Sequence, residues 1–381
     1  MADGHTASYR PLTELLSFVT AGLPTPLRKN GALGRWLERS SNLPEVTNFG
    51  FEYHLAHERV DLLLAVAHRP EQVSNVCAWL DDQSPWAQSP WDQSQSDPSQ
   101  SDPSRWPTAK QLACWLENWG NTHSAIGQLW LEFDDSDITT PAIFFSNLTD
   151  SSAFIDEALN ALTQLGLLNT STRTVLDSWI DMDGIRVTDI AAMANRHESP
   201  IRLNFVYDEQ LFRSQSITVE HGKLIEALKS ALPEVSLNVA INIFEDNWRL
   251  SGFEVRPKTL VPNASRDEPW SKFIECLPGL TPSMRKSLEK LRGWAIQSSS
   301  PADTAYPSSL ILEGLKHYRH GPLLQRRVLS HMKYGGHSVP ALLTPSPDAP
   351  DIKAYLGVHS VPASSAPSAF IGNSPSDFSD S

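Results

Sequence analysis

The chain has 381 residues, 40% of them hydrophobic and 20% charged, with a net charge of -13 and a pI near 5.4. That composition suits a globular protein with a substantial core and excludes collagenous, low-hydrophobicity and bilayer-spanning helical classes. The acidic balance, with no basic run longer than Arg326-Arg327, excludes an electrostatic nucleic-acid or anionic-membrane surface, and the first twenty residues read neither as a signal nor as a transit peptide, so the expected setting is the cytoplasm.

Helical patterns come first, at 11–19 and 31–38, followed by two strand-like runs at 48–56 and 59–68 joined by His57-Glu58. Helices at about 70–82 and 107–119 enclose a Ser- and Pro-rich stretch, 83–106, in which SPW and QSDPS each occur twice; it is read as a disordered insertion. A second strand pair, 127–134 and 141–147, is linked by DSDITT, and helices at 151–166 and 172–180 follow. A weaker strand pair is expected at 201–207 and 216–219, a helix at 221–232, and a clear pair at 236–244 and 249–256. Helices at 266–275, 280–296 and 306–319 precede a last pair at 327–334 and 351–359. The rhythm is helix-helix-strand-strand, repeated about five times within a single domain, 1–361, with a disordered tail at 362–381.

Alternation along these runs separates an apolar face from a polar one. Glu52 and His54 alternate with Phe51, Tyr53 and Leu55; Lys353, Tyr355 and His359 alternate with Ile352, Ala354 and Leu356; Arg202 and Asn204 alternate with Ile201, Leu203 and Phe205. GFEY at 50–53, WLEF at 130–133 and GFEV at 252–255 echo one another, each setting a Glu between apolar neighbours. Two α+β architectures fit. One is an antiparallel β-barrel of about ten strands surrounded by helices, its polar faces lining a lumen; the alternative is one or more open antiparallel sheets with helices on one face and the polar face in solvent.

Repeated helix-helix-strand-strand units around a polar-lined antiparallel barrel resemble the ABBA, or PT-barrel, aromatic prenyltransferases, over about residues 10–360. The resemblance implies prenyl transfer from an allylic diphosphate to an aromatic or peptide acceptor in specialised metabolism, with no required cofactor and Mg²⁺ as an option. It implies that strand cations and hydroxyls clamp the diphosphate, for which Arg202, Arg256, Lys333 and Lys353 with Tyr355 and Tyr207 are the candidates. It also implies a strand carboxylate that orients or deprotonates the acceptor, Glu52 first and Glu132 second, and aromatic shields for the carbocation among Trp130, Tyr355, Trp248 and Phe244. An internal ion pair with a strand Lys or Arg is the bland reading of either Glu, and a non-catalytic protein binding a small molecule or peptide is the alternative function.

Other chemistries lack their patterns. Cys77, Cys114 and Cys276 stand far apart as reduced packing residues, and twelve His show no HExxH spacing, so no metal site is assigned. GxGxxG, GxxxxGK[ST] and GxSxG are absent. The Asp134-Asp135-Ser136-Asp137 run reads as a polar hairpin loop.

Overall fold

The computed structural model describes residues 11–13, 16, 32–46, 48–56, 59–81, 109–135, 137–148, 151–194, 196, 198–207, 235–257, 280–296, 323–335 and 351–362. These form a strongly curled antiparallel sheet with helices packed on its outer side, an α+β architecture. The strands are β1 (Asn48–His54), β2 (Val60–Ala67), β3 (Gln128–Asp134), β4 (Asp137–Ser146), β5 (Val187–Ala192), β6 (Ile201–Val206), β7 (Val235–Ile243), β8 (Trp248–Pro257), β9 (Leu323–Gly335) and β10 (Asp351–Pro362). Hydrogen-bonded neighbours run β1-β10-β9-β8-β7-β6-β5-β4-β3-β2, and β1 pairs with both β2 and β10. The shortest ladders, of four residue pairs each, join β4 to β5 and β8 to β9.

The helices are α1 (Ala32–Arg39), α2 (Pro70–Asp81), α3 (Ala109–Asn121), α4 (Phe154–Gln164), α5 (Thr170–Ile180) and α6 (Pro282–Ile296). Local chemistry sets their ends. Pro70 opens α2, where its missing N–H costs nothing. Asn169 caps α5 by accepting from the Thr172 N–H at 2.8 Å. After α4, Gly166 takes φ 72° while Leu167 N–H reaches back to Leu162 O at 2.8 Å, the paired reverse bonding that favours glycine at this position.

The outward strand face and the helices share one large apolar core. Tryptophans peg the two layers together: Trp79 meets Phe133 edge-on at 6.3 Å, Trp115 meets Phe145 at 5.3 Å, and Trp179 lies 5.6 Å from Phe205. Trp36 is fully buried and donates its indole N–H to Val60 O at 2.7 Å. A separate small cluster, Ala142, Ala191, Met193 and the half-buried Phe144, lies apart from this core. The sheet therefore has two distinct environments, as the alternation in the sequence requires.

Four of the five expected strand pairs match β1/β2, β3/β4, β7/β8 and β9/β10. The third differs. β6 pairs not with a strand at 216–219, which lies outside the described residues, but with β5 at Val187–Ala192. VTDIAA is short and Ala-rich, and Thr188 and Asp189 interrupt its apolar run, so its strand signal is weak in isolation; the ladders with β4 and β6 supply what propensity does not. The expected helices at 221–232, 266–275 and 306–319 and the insertion at 83–106 lie outside the described residues, as does the tail expected at 362–381 apart from Pro362, which ends β10.

Candidate functional site

The polar residues of β1, β2, β3 and β10 converge on the inner face of the curl. Register places Glu52 opposite Tyr355 on one side and Asp61 on the other, and His54 opposite Lys353. Glu52 is 1% exposed, and its Oε1 accepts from Lys353 Nζ and lies 3.2 Å from His54 Nε2. The same His54 nitrogen is 3.0 Å from Asp61 Oδ2, so one imidazole nitrogen bridges two carboxylates. Burial by itself would push the Glu52 carboxyl up, but the Lys353 charge and the His54 hydrogen bond outweigh it and hold the group well below the usual carboxylate range. Burial also pushes the Tyr355 phenol well above its ordinary value, helped by the charges of Glu52, Glu132 and Glu254, so its O–H stays a hydrogen-bond donor. The charges of the three glutamates that echo in sequence thus all act on one phenol.

At the adjoining end of the sheet, arginines from three segments hold the acidic groups. Arg59, entering β2, reaches Asp61 with Nε at 2.8 Å and Nη2 at 2.9 Å. Asp61 Oδ1 also accepts the Asp135 N–H at 2.8 Å. With burial opposed by His54 and Arg59, the Asp61 carboxyl is drawn down to about 2. Arg196, from the β5–β6 connection, spans Glu132 Oε1 at 2.9 Å and Asp134 Oδ2 at 2.8 Å. Arg35 forks onto Asp135, with Nε 2.9 Å from Oδ1. Arg59 Nη2 is 3.1 Å from Asp134 Oδ1 but is not directed to donate to it, which leaves that oxygen without a hydrogen bond among the described residues. Burial accordingly pushes the Asp134 carboxyl up to about 7 in spite of Arg196. The Asp134 run turns from β3 into β4, the polar hairpin expected from sequence, but Asp134 and Asp135 also join an ionic lattice in which Asp134 is 4% exposed.

Glu52, His54 and Asp61 offer ligand atoms within 4.8 Å of one another, the spacing a metal ion needs. The hydrogen bonding speaks against such use of Asp61, because Oδ1 already accepts from Arg59 and Asp135 and Oδ2 from Arg59 and His54. A cation there would have to displace donors that already satisfy both oxygens.

Among the residues singled out from sequence, Glu52, Glu132, Lys353 and Tyr355 are buried or nearly so on this face, and Trp130 is half-buried on it, in register with Ala65 and Phe144. Both glutamates are ion-paired, Glu52 to Lys353 and Glu132 to Arg196. Arg202 donates through Nε to Asn242 Oδ1 at 3.0 Å, away from the Glu52 group along the sheet. Lys333 stands in register with Glu254 and Lys353, and Arg256 with Ser236; the side chains of Lys333 and Arg256 lie outside the described residues. Tyr207 does not join the set, because it packs with the outer core, as its parity with Leu203 and Phe205 dictates. Trp248 likewise lies outside, edge-on to Trp179 at 4.9 Å. Sequence reasoning missed Asp61, Arg59 and Arg196. Asp61 carries a signal, as the one acidic residue in VDLLLAVA. Arg196 carries none, since a connection between strands has no period to read.

No family model matches this chain, and the comparison with curated proteins finds no match.

Proposed function

We propose that the chain is a prenyltransferase that moves a prenyl group from an allylic diphosphate to an aromatic or peptide acceptor inside a closed, polar-lined barrel. The observation that carries the reading is Glu52: a carboxylate 1% exposed, yet held ionised by Lys353 and His54 and in hydrogen-bonding contact with the Tyr355 phenol. A buried, ionised carboxylate accepts a hydrogen bond from the N–H or phenol O–H of an aromatic nucleophile, orienting and polarising it as its ring attacks. Lys353 and the Tyr355 hydroxyl are donors of the kind that negative charge on a leaving diphosphate calls for, and Trp130 and Phe144 give this polar face aromatic surface beside Glu132. The pairing of β1 with both β2 and β10 supports closure of the barrel. Mg²⁺, if used, would accompany the diphosphate, since Asp61 has no free oxygen for it.

The alternative is a non-catalytic binder of a small molecule or peptide. It draws on the pairing of Lys353 with Glu52 and Arg196 with Glu132, which leaves these cations committed to carboxylates. Calorimetric titration with dimethylallyl and geranyl diphosphate, with and without Mg²⁺, separates the two readings. Binding that disappears in Lys353→Ala supports transfer; no binding under either condition refutes it and favours the binder.

A further inference from the structure

On the inner face a second polar group crosses β4, β5 and β6 in register: Ser146, Asp189 and Asn204. Ser146 Oγ donates to Asp189 Oδ1 at 2.6 Å, and Asn204 Nδ2 points at Asp189 Oδ2 at 3.5 Å. The carboxylate thereby fixes which way the amide is turned, since only its NH₂ can face Asp189. Asn204 Oδ1 is left pointing away, buried and, among the described residues, without a hydrogen-bond partner, on a residue 3% exposed. A buried acceptor without a donor is a cost the fold carries, and it is relieved when a ligand brings the donor. The next two residues in the same register are Ala240 on β7 and Gly252 on β8, which project a methyl group and nothing.

Four strands separate β6 from β1 in either direction around the ladder, so Asn204 and Glu52 belong to opposite walls. The Asp189 carboxylate makes the Asn204 neighbourhood hospitable to a positive or N–H-bearing group and hostile to a carboxylate or phosphate. The geometry points to Asn204, oriented by Asp189 and Ser146, as the subsite that takes the N–H donor end of the acceptor, a protonated amine or an amide N–H, while the reacting ring meets Glu52 across the curl. This rests on the prenyl-transfer reading for the identity of the reacting end; the donor-binding subsite itself rests on Asn204.

The test is calorimetric titration of the full chain with tryptamine and with indole-3-propanoate, which share the ring and differ in the charge of the side arm. Wild type binds tryptamine more tightly by about tenfold, the worth of one good hydrogen bond. Asn204→Leu brings the two affinities together and changes the melting temperature little, because the unsatisfied acceptor it removes offsets the loss of the long Nδ2 contact to Asp189; Asn204→Asp widens the preference. Equal affinities in wild type, no binding of either indole, or a preference that survives Asn204→Leu would overturn the assignment. So would a melting temperature depressed in both variants, which marks Asn204 as a structural residue served by internal water. Dimethylallyl diphosphate titrated into the same proteins keeps the two readings apart: its failure to bind wild type refutes prenyl transfer, and an amine preference that persists leaves the subsite standing.

Discussion

Replacing Lys353 by Met tests whether the inner face is a true interior. The Glu52 side chain is 1% exposed and that of Lys353 14%, so neither charge is well solvated. Removing the ammonium leaves the carboxylate with the His54 and Tyr355 donors alone. Breaking one side of a buried pair costs about 3–5 kcal/mol, and the two remaining donors offset part of it, so a loss of about 2–4 kcal/mol is expected at pH 8. At the few degrees per kcal/mol usual for domains of this size, the melting temperature falls by about 5–10 °C. The loss should shrink at pH 5. Without Lys353, burial of Glu52 is less opposed and its carboxyl moves up; a raised native-state value is a penalty incurred as pH rises through it and relieved below it. Glu52→Gln combined with Lys353→Met should recover most of the stability, because the uncompensated charge is gone. Urea denaturation of the two single variants and the double variant at both pH values gives the coupling energy. A Lys353→Met loss under about 1 kcal/mol, the range of exposed pairs, with no difference between pH 5 and pH 8, would refute the argument.

Asp61, drawn down to about 2 by His54 and Arg59, supplies stability that is fully present above the ordinary carboxylate value and drains away as pH falls toward 2; Asp61→Asn should flatten that acid limb in denaturation curves. Cys114 is exposed, whereas Cys77 is buried with its thiol pushed up to about 12 by burial, so in a Cys276→Ser background a thiol reagent should titrate one cysteine rapidly and a second only on unfolding. Trp36→Phe removes the indole donor and orphans the Val60 carbonyl at the centre of the outer core, and a loss of about 2–3 kcal/mol in chemical denaturation is expected; under about 0.5 kcal/mol would mean the carbonyl finds another donor.

The two-faced character of the strands is legible in the residue order alone. Period-2 alternation at 48–54, 128–134, 201–206 and 351–356 is a local property, and each apolar set went to the helix-covered core while each polar set faced away from it. The same reading yields the helix-then-hairpin order and the candidacy of Glu52, Lys353 and Tyr355, since polar residues in otherwise apolar strands are legible one strand at a time. Which groups meet is set by the folding of distant segments onto one another. Lys353 and Glu52 stand 301 positions apart in the chain, and Arg196 reaches Glu132 from 64 positions away, with no spacing rule to link them. VTDIAA became a strand through its neighbours, and Tyr207 fell outside the site through one residue of parity. The charge lattice of Arg59, Asp61, Asp134 and Arg196 exists because ion pairs depend on distance and burial, which the closing of strand ladders sets and the linear order of residues does not.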